Sequence, residues 1–306
     1  MQRRLSTIAI ALTAMLSSSA AVAASPAAAA PLTPSYNFTQ AVGRWLTPDL
    51  APTGANDWAC KPTAAHPYPV VLVPGTGANM AMSFEAISPE LKNRGYCVYS
   101  LNYGRVGHSP AGGITGVARS ARQLAPFVDR VLAATGASQV DMVGHSQGGM
   151  MPRQYMRFEG GAAKVHTLVG LAPSNHGAAD PSGKAPTAIQ RSITEALLGP
   201  LCAACVDQSA GSRFLARLNA GHETEPGPSY VVITTKYDQI VTPYTSALLT
   251  GPNVTNIVVQ DGCPIDRVDH AAIAYDRRAV GLALHALDPA EATPVPCTAS
   301  KPYIGG

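Results

Sequence analysis

The stretch Val140-Asp-Met-Val-Gly-His-Ser-Gln-Gly-Gly-Met150 decides how the rest of the chain is interpreted. An apolar run meets the pattern Gly-x-Ser-x-Gly, and a helix-like segment follows it. A serine on a sharp turn between strand and helix takes a strained backbone, and close packing there tolerates little beyond glycine two residues away on either side. The helix that follows directs free N–H groups at the serine. We therefore interpret Ser146 as a candidate nucleophile, although the pattern alone can occur by chance in a glycine-rich chain.

Strand-like and helix-like patterns alternate on both sides of this stretch. Short apolar runs predict strands at 69–73, 95–101, 139–143, 165–171, 229–235 and 254–259, and helical spacing predicts helices at 116–134 and 188–198. This alternation predicts the α/β class, with a mostly parallel central sheet flanked by helices.

The beginning of the chain has the three-part form of a secretory signal peptide. Arg3 and Arg4 precede an apolar run and then small residues, which predicts a signal peptide over 1–24 with cleavage between 23 and 30. The run is shorter than the roughly 20 residues that a membrane span needs, so we expect no transmembrane segment and a secreted, extracellular protein rather than an anchored one. Residues 25–35 are predicted to form a flexible Ala/Pro-rich leader, and 36–306 a single domain.

Composition limits the classes of partner. The net charge is +3 and falls by two when the signal peptide is removed, and no Lys/Arg cluster carries interleaved aromatic residues. Nucleic-acid binding is therefore not expected. With 46% hydrophobic and 13% charged residues, the chain can bury a large core. We expect a monomer that uses no cofactor and no metal ion.

A glycine turn follows the first predicted strand, in the segment Pro74-Gly-Thr-Gly-Ala-Asn79. Taken alone it is a tight turn, but a turn at this position upstream of a serine elbow suits an oxyanion loop. We expect the backbone N–H of Thr76, with its hydroxyl, and the backbone N–H of Gln147 to be the donors. The neighbouring Gly75 and Gly77 are expected in the substrate pocket.

An acid and a base follow later strands in an informative order. Asp238 lies just past the strand at 229–235, and His270 follows the last strand. The order Ser146, Asp238, His270 matches that of α/β-hydrolases. His270 is expected to take the serine proton while Asp238 orients it. Asp266 and Asp269 are rival acids, but both share the histidine's loop.

The pocket and its cover are less clearly defined by the sequence. His176 follows the strand at 165–171, where ligands of open α/β sheets bind, so we expect it and Val241 to line the pocket. His145 is expected to point away from the serine toward the core. Residues 178–228 contain no clear strand, and a connection this long predicts an inserted cap that controls access.

Six cysteines follow the signal peptide, and an even count in an exported protein indicates three disulfides. Fifteen pairings are possible for six cysteines, and the sequence alone cannot choose among them. Cys202 and Cys205 have the spacing of a redox or zinc pair. Neither a thioredoxin-like setting nor further ligands accompany them, so a local disulfide is favoured.

Four motifs together resemble the secreted α/β-hydrolase lipases, in particular the actinobacterial lipase and esterase group and the Candida antarctica lipase B family. They are Leu72-Val-Pro-Gly-Thr-Gly77, Ser146-Gln-Gly-Gly149, Asp238-Gln-Ile-Val-Thr-Pro243 and Asp269-His-Ala271. The resemblance implies the α/β-hydrolase fold and the disulfides Cys60–Cys97 and Cys263–Cys297, which leaves Cys202–Cys205. The segment 178–228 does not match, so acyl-chain and alcohol preferences do not carry over.

The function that this reasoning favours is a secreted carboxylic-ester hydrolase, a lipase or esterase that forms an acyl-enzyme on Ser146. Apolar composition suits a small-molecule or lipid ester as substrate. The same three residues could serve an acyltransferase, a polyester hydrolase or a peptidase. A non-catalytic hydrolase-fold binding protein is a third class, and retention of all three candidate residues argues against it.

Overall fold

Six parallel strands form the centre of the fold in the computed structural model of the chain, which describes residues 30–178, 187–291 and 294–306. The strands are β1 (Val70–Val73), β2 (Val98–Ser100), β3 (Val140–His145), β4 (Val165–Leu171), β5 (Ser229–Thr234) and β6 (Val254–Val258). Their order is β2-β1-β3-β4-β5-β6, and every neighbouring pair is parallel. The predicted α/β class with a parallel sheet is confirmed.

Helices cover both faces of this sheet. They are α1 (Phe38–Val42), α2 (Met80–Ser83), α3 (Ile87–Asn93), α4 (Val117–Thr135), α5 (Gln147–Phe158), α6 (Ala188–Leu198), α7 (Ala203–Asp207), α8 (Arg213–Leu218) and α9 (Arg277–Leu287). Short 3₁₀ turns lie at Gly43–Leu46, Ala162–Lys164, Tyr244–Ala247, Val259–Asp261, Ile273–Tyr275 and Pro289–Glu291. Within the described part of the chain, no helix is both long enough and apolar enough to cross a membrane.

Alternate strand residues divide the core into two apolar layers, one on each face of the sheet. Val71 and Val73 belong to the layer that packs against α4 and α5. Val70 and Leu72 belong to the layer that packs against α3 and α9. Because helices bury both faces of the central strands, these strands are continuous apolar runs in the sequence rather than alternating ones.

Parallel pairing brings the candidate residues to one edge of the sheet. Thr76 follows β1, Ser146 follows β3, Asp238 follows β5 and His270 follows β6. The carboxyl ends of parallel strands share an edge, and this is where open α/β sheets bind ligands. The topology therefore gathers residues that lie far apart in the chain.

The segment 178–228 lies between β4 and β5 and includes α6, α7 and α8, with residues 179–186 outside the described part. Its described residues form no strand, as the sequence predicts. Two arginines of α5 hold its final portion: Arg153 Nε donates to the Glu223 carbonyl at 3.0 Å, and Arg157 Nη1 donates to the Leu218 carbonyl at 2.9 Å. The end of this segment is thus fixed to the helix that begins at Ser146.

Residues 32–35 are bound to the domain, although the sequence suggests a flexible leader there. The side chain of Asn93 in α3 both accepts from the Leu32 N–H and donates to the Leu32 carbonyl, each at 2.8 Å, and Ser35 N–H donates to the Glu85 carbonyl at 2.9 Å. The compact unit accordingly runs from Leu32 to Gly306. The signal peptide predicted over 1–24 and the first residues of the leader lie outside the described residues.

Three disulfides are present, and they are the pairs that the resemblance implies. Cys60 bonds to Cys97, Cys202 to Cys205, and Cys263 to Cys297. The first ties the segment before β1 to the start of β2, and the last ties the loop after β6 to residue 297. Two of the three therefore brace segments adjacent to the sheet.

Candidate active site

Ser146 occupies the turn between β3 and α5 with a strained backbone. Its φ of 55° and ψ of −121° are unfavourable for a residue with a side chain. The conformation is held because Ser146 N–H donates to the Leu171 carbonyl at 2.9 Å and Gly149 N–H donates to the Ser146 carbonyl at 2.9 Å. The serine hydroxyl consequently projects from the sheet edge at the first turn of a helix.

His270 lies between Ser146 and Asp238 within hydrogen-bond distance of both. Its Nε2 is 3.0 Å from Ser146 Oγ, and its Nδ1 is 2.8 Å from Asp238 Oδ2. A carboxylate only accepts, so Nδ1 carries the proton and Nε2 is free to accept the serine hydroxyl. The structure thus brings together the three residues that the sequence nominates.

Two backbone N–H groups fix the carboxylate of Asp238. Ile240 N–H and Val241 N–H donate to its Oδ1 at 2.8 Å and 2.7 Å. The other oxygen is left to face His270, and the residue is buried. This division of the two oxygens gives the imidazole one defined orientation.

Neither rival acid contacts the imidazole of His270. Asp266 faces Asp276 at the start of α9, and both carboxyls are fully buried. Burial raises the pKa of Asp276 to about 7 and also raises the pKa of Asp266, so the pair is stable when it shares a proton. Asp269 accepts N–H bonds from Gln239, Ala272 and Tyr303 instead.

Two amide donors hold the Thr76 hydroxyl and fix the direction in which it can donate. Its Oγ1 accepts from Gln147 Nε2 at 2.9 Å and from Gln208 Nε2 at 2.8 Å. The same two nitrogens donate to the carbonyls of Gly113 and Ala204, which establishes that each is the NH₂ end of its amide. With both lone pairs of Thr76 Oγ1 occupied, its own proton is left to donate into the cavity.

The backbone offers two further donors at the same place. Gln147 is the first residue of α5, so its N–H has no acceptor within the helix. Thr76 lies beside it, since the two side chains are hydrogen-bonded. That the N–H groups of Gln147 and Thr76 and the Thr76 hydroxyl meet at an oxyanion next to Ser146 stays a prediction from the sequence.

Gln208 and its partner Ser174 did not emerge from the sequence. Ser174 Oγ donates to Gln208 Oε1 at 2.8 Å, and both side chains are buried. Gln208 belongs to the segment 178–228, where no motif points to a role. An amide that follows a short helix is usually solvated, so only the three-dimensional contacts reveal that it holds Thr76.

Gln208→Met is expected to lower kcat about tenfold with little change in KM. Removing an oxyanion donor lowers kcat about 10²–10³-fold. This change leaves the Thr76 hydroxyl in place and only frees its orientation, so a smaller loss is expected. Steady-state kinetics on p-nitrophenyl esters measures the effect. If Gln208 acts through Thr76, the same change in a Thr76→Val background has almost no further effect. Full additivity of the two changes would contradict this role.

His145 lies beside His270 rather than facing the core, and this corrects the expectation from sequence. Its Nε2 is 2.8 Å from the His270 carbonyl, and the two rings are 5.0 Å apart. Burial lowers the pKa of His145 to about 3, and the neighbouring His270 also lowers it. His145 is therefore neutral, donates through Nε2 and restrains the backbone of the candidate base.

A cavity of about 730 Å³ opens onto Ser146 and His270. Thr76, Gln208 and Val241 are in its wall. Among the described residues its lining contains no Lys, Arg, Asp or Glu, and it comprises Phe38, Val42, Trp45, Gly75, Thr76, Gly77, Ala78, Met82, Ser83, His145, Ser146, Ser174, Ala178, Cys205, Gln208, Ile240, Val241, His270, Ala271, Ala274 and Tyr275. Such a surface suits an uncharged, largely apolar ligand.

His176 lies outside this cavity, contrary to the expectation from its position after β4. Its Nε2 is 2.6 Å from Glu223 Oε1, and its backbone N–H donates to the Ser246 carbonyl at 3.0 Å. The chain turns after Ser174, which directs the histidine to the segment before β5. Gly75, Gly77 and Val241 do line the cavity.

Comparison with known proteins agrees with this architecture. Two triacylglycerol lipases, from Pseudarthrobacter phenanthrenivorans and Burkholderia plantarii, are each 39% identical over 95 residues, which is 29% of this chain and 28% and 25% of theirs. The matched stretch is thus under a third of either relative. The crystal structure of Aspergillus fumigatus lipase B superposes with a TM-score of 0.58 at 20% identity, covering 74% of this chain and 55% of that one.

The structural likeness confirms the α/β-hydrolase fold. A family model described as Lipase (class 2) matches residues 67–279, which include β1 through the first residues of α9 and all three candidate triad residues. This match spans well over half of the chain, so the protein belongs to the class 2 lipase family.

Proposed function

We propose that the protein is a secreted serine carboxylic-ester hydrolase, of the lipase or esterase kind, that cleaves uncharged esters through an acyl-enzyme on Ser146. The observation that carries the proposal is the hydrogen-bonded series Ser146–His270–Asp238 at the wall of a cavity whose described lining residues carry no formal charge. The relatives named triacylglycerol lipases support acylglycerols as substrates. Three disulfides are consistent with an oxidising compartment outside the cell.

Acylation begins with proton transfer within this hydrogen-bonded series. As Ser146 Oγ attacks the ester carbonyl, its proton passes to His270 Nε2, and Asp238 stabilises the imidazolium that forms. The negative charge that develops on the carbonyl oxygen meets the N–H groups of Gln147 and Thr76 and the hydroxyl of Thr76. His270 then returns the proton to the leaving alcohol.

Deacylation reverses these roles with water as the nucleophile. His270 removes a proton from water, water attacks the acyl carbonyl, and Ser146 regains its proton when the acid leaves. The same donors serve the second oxyanion. Since the cavity wall is mostly apolar, acyl or alcohol chains displace water from it on binding, which favours neutral esters over charged ones.

Hydrolysis of p-nitrophenyl esters from acetate to palmitate by the purified protein tests the proposal. We expect cleavage across part of this series, and single labelling at Ser146 by a fluorophosphonate that stops it. Ser146→Ala is the matched control and takes up no label. A folded protein that neither cleaves these esters nor reacts with the phosphonate would refute the proposed function.

A further inference from the structure

Asp269 carries a buried carboxylate that serves no role in the mechanism above. The residue is 2% exposed, and within the described part of the chain no Lys, Arg or His side chain forms an ion pair with it. Burying a carboxylate without a cation is costly, so its retention needs an explanation. Three N–H donors compensate: Ala272 N–H to Oδ1 at 3.0 Å, and Gln239 Nε2 and Tyr303 N–H to Oδ2 at 3.0 Å and 3.1 Å.

The three donors belong to segments that lie apart in the sequence. Gln239 is next to Asp238, and Asp269 is next to His270, so their hydrogen bond joins the loop of the acid to the loop of the base. Two more links act between the same loops: His270 N–H donates to Gln239 Oε1 at 3.4 Å, and Tyr237 forms a parallel bridge with Asp269. The carboxylate is the one charged group in this set.

Tyr303 brings a third segment to the junction. In addition to its N–H, its hydroxyl accepts from Gln239 Nε2 at 2.9 Å. The segment 300–306 is itself fixed, because the Ile304 carbonyl accepts from Phe38 N–H at 2.8 Å and Gly306 N–H donates to the Tyr275 carbonyl at 3.4 Å. Phe38 and Tyr275 are cavity-wall residues, so this segment lies behind both the wall and the two loops.

We propose that Asp269 is a positioning residue for the triad, and that with Gln239 and Tyr303 it forms a clamp that sets the distance between Asp238 and His270. The inference rests on the proposed function only for its kinetic consequence. The 2.8 Å contact between His270 Nδ1 and Asp238 Oδ2 requires two loops that follow different strands to keep a fixed separation. The clamp supplies that constraint from outside the reacting atoms.

Asp269→Asn is the first variant. An asparagine offers one acceptor oxygen where the carboxylate offers two, so at least one N–H donor faces an NH₂ group. We expect kcat to fall about 10–100-fold with KM within about twofold, since small misplacements of catalytic groups cost up to about 10²-fold. Asp261→Asn is the matched control, because Asp261 is exposed and, among the residues that the structure describes, forms an ion pair only with Lys236; it is expected to keep wild-type kcat.

A swap of donor and acceptor distinguishes positioning from general structural damage. Gln239→Glu alone places two carboxylates together and is expected to lower kcat as much as Asp269→Asn. In the double variant the new amide at position 269 donates to the new carboxylate at position 239, which restores the bond between the two loops. We expect kcat to recover in part, because Tyr303 N–H, which also donates to Oδ2 in the wild type, then faces the amide NH₂. A double variant as impaired as the product of the two singles would overturn the clamp.

Two measurements keep the test decisive. Gln239→Leu changes an exposed side chain that folding tolerates, and we expect a several-fold loss of kcat at an unchanged unfolding midpoint. The far-downfield proton resonance of His270 Nδ1–H, assigned by its loss in His270→Ala, is expected to disappear in Asp269→Asn and return in the double variant. The clamp is overturned if the resonance is unchanged in Asp269→Asn or if kcat is unchanged in Gln239→Leu. Lack of ester cleavage by the wild type contradicts only the proposed function.

Discussion

Asp238→Asn is expected to lower kcat about 10⁴-fold while KM stays near the wild-type value, because the acid of a serine triad then loses its charge. The asparagine oxygen can still accept from Ile240 N–H and Val241 N–H, so the loop keeps its conformation. Its NH₂ then faces His270 Nδ1 and donates to it. The imidazole proton moves to Nε2, which can no longer accept the proton of Ser146.

Steady-state kinetics on p-nitrophenyl butyrate, with unfolding followed by circular dichroism, measures this loss. Asp266→Asn is the matched control, because Asp266 is a buried acid of the same region that does not contact the imidazole. We expect Asp266→Asn to keep kcat within about threefold, since its side chain bonds to Val268 N–H and to Asp276 rather than to the candidate triad or to Gln239 and Asp269. Turnover retained in Asp238→Asn would move the orienting role to another acid.

The positions of the three candidate triad residues could be predicted because the parallel sheet largely determines where they lie. Ser146, Asp238 and His270 each follow an apolar run, and parallel strands deliver their carboxyl ends to one edge. Alternating strand and helix patterns are visible in the sequence, so the residues at this edge of the sheet can be identified from local features. The position of Thr76 could be predicted by the same reasoning, because it lies in the turn that follows β1.

Residues whose role depends on a side-chain direction could not be predicted in this way. His145 is the last residue of β3 and His176 lies in the loop after β4, yet the first contacts the His270 carbonyl and the second contacts Glu223. Their directions are set by partners over 40 residues away in the chain. Gln208 lies in a segment without strands, so no topological rule brings it to Thr76.

Gly144→Ala is expected to lower the free energy of unfolding by about 4 kcal/mol or more, which is a large fraction of the 5–15 kcal/mol that a typical domain has. A Cβ at Gly144 would lie 1.9 Å from the Gly148 carbonyl oxygen and 2.2 Å from its carbon. These are backbone atoms at the start of α5, so no rotamer change can relieve the overlap. The helix would have to move away from β3.

Withdrawal of α5 from β3 also separates the helix from the adjacent strand β1, which is why the cost cannot be reduced by a small shift. A Cβ at Gly148 would lie 2.0 Å from the Val73 carbonyl oxygen, so helix and sheet are in backbone contact there. In the proposed mechanism the same contact presents the first N–H of α5 to the oxyanion. Displacing the helix by an ångström is therefore expected to lower kcat as well as stability.

Urea unfolding of Gly144→Ala beside Gly43→Ala measures the effect. Gly43 has helical backbone angles, and nothing lies within 4 Å of a Cβ built on it, so this control is expected to be neutral or stabilised by up to about 1 kcal/mol. Equal unfolding midpoints for Gly144→Ala and the wild type would show that α5 can withdraw without loss. In that case the close approach of helix and strand would not be what holds Ser146 in its strained conformation, and the hydrogen bonds to Leu171 and Gly149 would have to do so alone.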